Sequence, residues 1–224
     1  MNNDFKKLKK LLLFSGLSIG FLIFEVVFYF MGIDFTNMTL KTSIILTYIK
    51  YIFFLVLLIV IYRKYLIKKW KDFKENFKDY FDLSIKYWIT GLVVMYVANI
   101  IIMNIIGNAG SNEEAVQNII TGYPLAAFFM TTFFAPIIEE LIFRKSLQDA
   151  VPVKKFFPLI SGLVFGYIHV MGATNPLEYL MIISYGSLGY AFGFILNKTD
   201  NIYCVIMMHM IHNGILTLLG VLLW

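Results

Sequence analysis

The chain has 224 residues, 59% of them hydrophobic and only 15% charged, with a mean hydropathy of +0.76. A soluble domain is nearer half apolar and a quarter charged, so composition excludes a water-soluble globule. The single cysteine, Cys204, excludes an intrachain disulfide and a cysteine-rich metal site, and the net charge of +5 does not point to nucleic acid, because the bases sit in particular segments between apolar runs.

Those runs are about 20 residues long, the length that crosses a bilayer core as a helix. Barrel strands would alternate apolar and polar residues, and these runs do not. The expected fold is all-α, a polytopic transmembrane helix bundle of about seven spans. They fall at roughly 11–32, 42–62, 84–106, 124–149, 156–170, 177–197 and 201–223. The first follows Lys6, Lys7, Lys9 and Lys10, and its apolar run is too long for a cleaved leader, so it reads as a retained helix. The second leads into a segment, Arg63 to Phe81, rich in lysine and aromatic residues. This reads as an amphipathic connector on the membrane surface, its bases meeting anionic lipid. The loop from Gly107 to Gly122 carries Glu113 and Glu114 and no base, whereas the stretch from Arg144 to Lys155 is basic again. Alternate basic loops place the N-terminus in the cytoplasm and, with seven spans, the C-terminus outside. No internal repeat or soluble domain is visible, so residues 1–224 read as one membrane domain.

Ionisable residues inside spans are costly and therefore informative. Glu25 and Lys50, in spans one and two, read as structural: they pair with one another or reach the interface. Span four holds Pro136, then Glu139 and Glu140, then Arg144. Glu140 and Arg144 stand at i and i+4 and share a face. Glu139 is turned about 100° away and has no partner in its own helix, so it is free to face a cavity. Pro136 removes a backbone donor about one turn earlier and favours a kink. Span five carries His169. Span seven carries His209 and Asn213 at i and i+4, with His212 between them.

Depth allows these groups to meet. Glu139 lies 13 residues before Pro152 in the turn between spans four and five, and His169 lies 17 after it. Both are roughly 20–25 Å along their helices from that turn, while His209 and Asn213 are roughly 12 and 18 Å along span seven. A buried carboxylate can act as general base on water. A histidine can orient that water or hold a metal that activates it, and a second histidine and an amide can donate to an oxyanion. The set suits peptide-bond hydrolysis.

Glu139-Glu140-x-x-x-Arg144, Phe165-x-x-x-His169 and His209-x-x-x-Asn213, in order and in separate spans, resemble the three motifs of the CAAX protease and bacteriocin-processing (CPBP/Abi) family of intramembrane endopeptidases. The resemblance covers about residues 123–224. It implies Glu139 as general base, His169 as its partner in activating water, His209 and Asn213 as the oxyanion site, and Glu140 and Arg144 as support. It leaves two mechanisms open, one metal-free and one with a divalent metal such as zinc on Glu139, His169 and His209. It implies a multi-pass protein of a bacterial cell membrane, with the lipid bilayer and a peptide or lipidated protein substrate as partners and no nucleic acid. Two other readings stand beside it. One is a non-catalytic bacteriocin-immunity or scaffold protein that keeps the fold. The other is a transporter using Glu139 and the histidines as a relay, for which inverted repeats would be expected.

Overall fold

The computed structural model describes residues 3–34 and 37–223, and they form a helical bundle with no strand among them. Helices α1 (Asn3–Leu22) and α2 (Glu25–Phe30) form a broken N-terminal element. Helix α3 (Leu40–Glu75) starts at Thr39, whose hydroxyl accepts the N–H of Thr42 at 3.2 Å, an N-cap that satisfies one of the open donors of the first turn. Helix α4 (Phe77–Ile106) ends at Gly107, which takes the left-handed conformation (φ 79°) that glycine adopts without penalty. Helix α5 (Ser111–Gly122) precedes the long α6 (Pro124–Ala150), then α7 (Phe157–Val170), α8 (Ile182–Thr199) and α9 (Ile202–Leu223).

Five helical stretches among the described residues are long and apolar enough to cross a membrane: α3, α4, α6, Pro176–Thr199 and α9. The other two expected spans are helical but fall short of that measure. The first begins with lysines and breaks at Ile23 and Phe24, and α7 has only 14 residues, about 21 Å. The expected surface connector over 63–81 is instead the far end of α3, running on to Glu75, and the start of α4, with Asn76 as the only break. Phe73 is buried, and it and the half-exposed Trp70 lie against the Tyr203 ring at 5.9 and 5.1 Å. The expected acidic loop over 107–122 is for most of its length the helix α5.

One end of the bundle gathers the α3–α4 junction and the α8–α9 turn. Asn201 donates to the Lys69 carbonyl and to Asp72, each at 2.9 Å, and Lys69 pairs with Asp200 at 2.8 Å. The half of the bundle next to this end holds the main core, with Leu141, Ile142, Phe192, Ile195, Leu196, Ile202, Cys204 and Val205 fully shielded. In α1, Phe21 reaches Phe143 at 6.1 Å between ring centroids, while Glu25 and Lys50 form the anticipated pair.

Helices α7 and α8 approach through glycine. A methyl group on Gly162 would stand 2.7 Å from the Gly186 carbonyl oxygen, and one on Gly189 would stand 2.7 Å from Cβ of Phe165. Small residues of this kind let membrane helices pack backbone to backbone. We expect Gly162→Ala to cost about 1–3 kcal/mol through overpacking, seen as a lower unfolding midpoint in detergent, with Gly172→Ala, where the space is open, serving as the neutral control.

Candidate active site

The middle of α6 departs from α-helical geometry twice. Met130–Phe134 and Leu141–Ser146 are π-helical, and the single α-helical stretch between them, Ala135–Glu140, ends on the two glutamates. Such bulges are frequent at functional sites. The first has a definable cause and consequence. The Ala135 N–H bonds to the Met130 carbonyl rather than to Thr131, and Pro136, the next residue that could serve Thr131, has no N–H. The Thr131 carbonyl is thereby left without a backbone donor. Asn213 of α9 supplies one, donating from Nδ2 to Thr131 O at 2.9 Å. Beside it, the Thr131 and Thr217 hydroxyls meet at 2.7 Å.

Glu140 and Arg144 are fully buried, with Arg144 Nε 3.3 Å from Glu140 Oε2. That contact is an ion pair and not a hydrogen bond, and the Nη atoms of Arg144 have no acceptor among the described residues. The guanidinium instead lies on the Phe165 ring, 3.9 Å from its centroid, with the Phe192 ring at 5.9 Å, an arrangement that favours a cation over an aromatic face. The other oxygen of Glu140, Oε1, is 2.7 Å from His209 Nδ1. A carboxylate next to a guanidinium only accepts, so this contact assigns the proton to Nδ1 of His209 and turns Nε2 outward. There, Nε2 stands 4.0 Å from Glu139 Oε2.

His169 is oriented in the same manner by its backbone. The Phe165 carbonyl is 2.8 Å from His169 Nδ1, and a carbonyl cannot donate, so Nδ1 carries the proton and Nε2 keeps its lone pair. The ring is held between Phe165 at 4.2 Å and Tyr185 at 4.7 Å. Glu139, His169, His209, His212 and Asn213 all line one chamber of about 510 Å³. Glu140 and Arg144 stand behind its wall. His212 is buried, edge-on to Trp88 at 6.4 Å.

The structure therefore brings the four proposed chemical residues to one chamber. It also adds parts that the sequence did not single out. Tyr185 buttresses His169, Thr131 anchors Asn213, and Thr47 and Tyr51 of α3 with Met95 and Asn99 of α4 complete the wall. No local signal marks these residues, because each meets the site only through long-range packing. Among the described residues no three His, Cys, Asp or Glu side chains are gathered as a metal-holding group. Glu139, His169 and His209 as placed do not fit a shared divalent ion.

Fold and site together define a membrane-embedded helix bundle enclosing a chamber lined by a carboxylate and histidines. The family model of type II CAAX prenyl endopeptidase Rce1-like proteins matches residues 121–215. YdiL of Bacillus subtilis, named as a candidate membrane peptidase, is 30% identical over 145 residues, 61% of this chain and 56% of that protein. YvdC of Lactococcus lactis is 26% identical over 171 residues, 72% of this chain and 62% of its own length. An uncharacterised Mycoplasma capricolum protein is 29% identical over 150 residues, 60% of this chain and 42% of its own length. The matches thus span about half the length of these curated relatives. No solved structure matches. Residues 121–215 are thus similar to the type II CAAX prenyl endopeptidase family.

Removing Arg144 leaves Glu140 buried and short of its counter-charge. Breaking a buried pair costs about 3–5 kcal/mol, so Arg144→Ala is expected to lower the yield of monodisperse protein in detergent. Glu139→Gln, whose side chain is 16% exposed to the chamber, is expected to leave that yield unchanged. Equal losses in both variants would show that Glu139 is also a structural ion.

Proposed function

We propose that the protein is an intramembrane endopeptidase that hydrolyses a peptide bond with water activated by Glu139. The observation that carries this reading is the pairing of Glu139 with His209 Nε2 across 4.0 Å of chamber wall, while His209 Nδ1 is held by the buried Glu140. The named description of the matching family and of YdiL as peptidases supports the same reading.

Charge balance supports the division of labour. Glu139, Glu140, Arg144 and His209 form a cluster that is electroneutral when both carboxylates are ionised and His209 carries a second proton. In that state Glu139 is a base, and His209 Nε2 has an N–H to donate. Both functions are then present together, as general-base hydrolysis with oxyanion stabilisation requires.

The reaction follows from these positions. Glu139 takes one proton from a water molecule, which His169 Nε2 helps to orient by accepting its other proton in a hydrogen bond. The water oxygen adds to the scissile carbonyl carbon, and the carbonyl oxygen becomes an oxyanion. His209 Nε2–H and the Asn213 N–H not engaged by Thr131 donate to it. Glu139 then passes its proton to the amide nitrogen, the C–N bond breaks, and a carboxylic acid and an amine leave. Arg144 acts through Glu140, as the counter-charge beside the carboxylate that holds His209 Nδ1.

Comparative peptidomics tests this. Cells lacking the protein receive the wild type or Glu139→Gln at matched membrane levels. General-base catalysis contributes about 10²–10⁴-fold in rate, so peptides produced with the wild type are expected to fall by that order or vanish with the variant. Identical peptide pools, with a cellular phenotype rescued equally by both, would instead favour a non-catalytic immunity or scaffold protein.

A further inference from the structure

The two ends of the bundle differ sharply in charge. The end formed by the α3–α4 junction and the α8–α9 turn also carries the α6–α7 connection. Its bases include Lys64, Lys68, Lys69, Lys71, Lys74 and Lys78, with Lys154, Lys155 and Lys198 on the neighbouring segments. The opposite end is formed by the segment before α3, the α4–α5 turn with α5, and the α7–α8 connection. It carries one base, Lys41, against Asp34, Glu113, Glu114 and Glu178. Loops rich in Lys and Arg stay cytoplasmic, so the first end is the inner one.

The chamber is not centred between these ends. Its lining comes from the outer parts of the helices: Thr47 and Tyr51 near the start of α3, Met95 to Met103 near the finish of α4, the inner face of α5, and Asn213 to Thr217 in the outer half of α9. A smaller crevice of about 240 Å³ shares Asn112, His169 and Tyr185 with it. That crevice runs between the start of α5 and the 172–178 segment, at the outer end. Toward the inner end the path is shut by the fully shielded side chains of Leu141, Ile142, Phe192, Ile195 and Val205. Neither cavity is lined by a lysine or arginine.

We infer that the chamber opens on the extracytoplasmic side of the membrane. The segment that reaches Glu139 is then the outer part of a membrane-anchored or exported peptide, and not a lipidated terminus presented from the cytoplasm. This rests on the endopeptidase reading for the word substrate, but the direction of opening stands on charge and packing alone.

Orientation and opening are read by thiol labelling of intact cells with a membrane-impermeant methanethiosulfonate. The only native thiol, Cys204, is fully buried and is replaced by alanine as background. Asn118→Cys sits on the exposed face of α5, Gln117→Cys on the chamber wall, and Lys71→Cys on the exposed inner part of α3. The expected result is reaction of the first two in intact cells and of Lys71→Cys only after lysis. Any other pattern overturns the inference. The readout needs no activity, so a negative result for Glu139→Gln in the peptide pools would defeat the hydrolase reading without touching this one. With both positive, the wild-type-dependent peptides are expected in the medium, with their new termini on the outer side of the parent's membrane segment.

Discussion

A guanidinium and a carboxylate are buried without solvent contact in the middle of this bundle, and the arrangement of four helices follows from keeping them there. Each desolvated ion costs several kcal/mol, and attraction between the two offsets this only with good geometry and further partners. Here the partners come from separate elements. Glu140 and Arg144 belong to α6, the ring beneath the guanidinium is Phe165 of α7, a second ring is Phe192 of α8, and the donor to Glu140 is His209 of α9. A slide of any one helix by a turn would strip the cluster of a partner. The glycine contacts between α7 and α8 serve the same end, since Phe165 reaches Arg144 only because Gly189 leaves room beside its Cβ. The charge cluster thus fixes registry, and the site inherits its precision from that registry.

The irregular geometry of α6 is the second constraint. A regular helix would serve the Thr131 carbonyl internally and leave Asn213 without this anchor. The π turn and Pro136 together expose one acceptor, and Asn213 is held there by one of its two N–H groups, leaving the other for the chamber. The two glutamates are separated by the ordinary 100° turn of the α-helical stretch Ala135–Glu140. Glu140 faces the ion pair, and Glu139 faces the chamber.

What could be read from the sequence divides along the range of the interactions. The Glu140 and Arg144 contact was legible because an i, i+4 spacing is a local property, and the same spacing put His209 and Asn213 on one face. The helical, membrane-spanning character followed from composition. The partnership of His209 with Glu140 was not legible, because 69 residues separate them and nothing in either motif names the other. Helix α5 was read as a loop because its surface is largely polar. It forms because Ile120 is buried against α9, close enough that a methyl on Gly220 would stand 3.2 Å from it. The Arg63 to Phe81 segment was legible in its surface lysines but not in its helical continuity with α3 and α4. Its lysines marked a surface, but the contact of Trp70 and Phe73 with Tyr203, across more than 120 positions, left no local signal.

The match to the family covers residues 121–215, and that stretch supplies all of the proposed chemistry. It does not supply the whole chamber. Thr47 and Tyr51 come from α3, Met95, Tyr96, Asn99 and Met103 from α4, and Asn112 to Ile120 from α5. The two parts are tied together by a few specific contacts, among them the Tyr48 hydroxyl donating to the Ala126 carbonyl at 2.8 Å. Binding energy from parts of a substrate remote from the reacting bond positions that bond and sets specificity. On the endopeptidase reading, the residues that would hold those remote parts lie on α3, α4 and α5, apart from the proposed chemical groups on α6, α7 and α9. On the same reading, the physical basis for a choice of substrate would lie in this largely apolar outer wall with its few polar groups, Thr47, Asn99, Asn112 and Gln117, and not in the motifs that carry the chemistry.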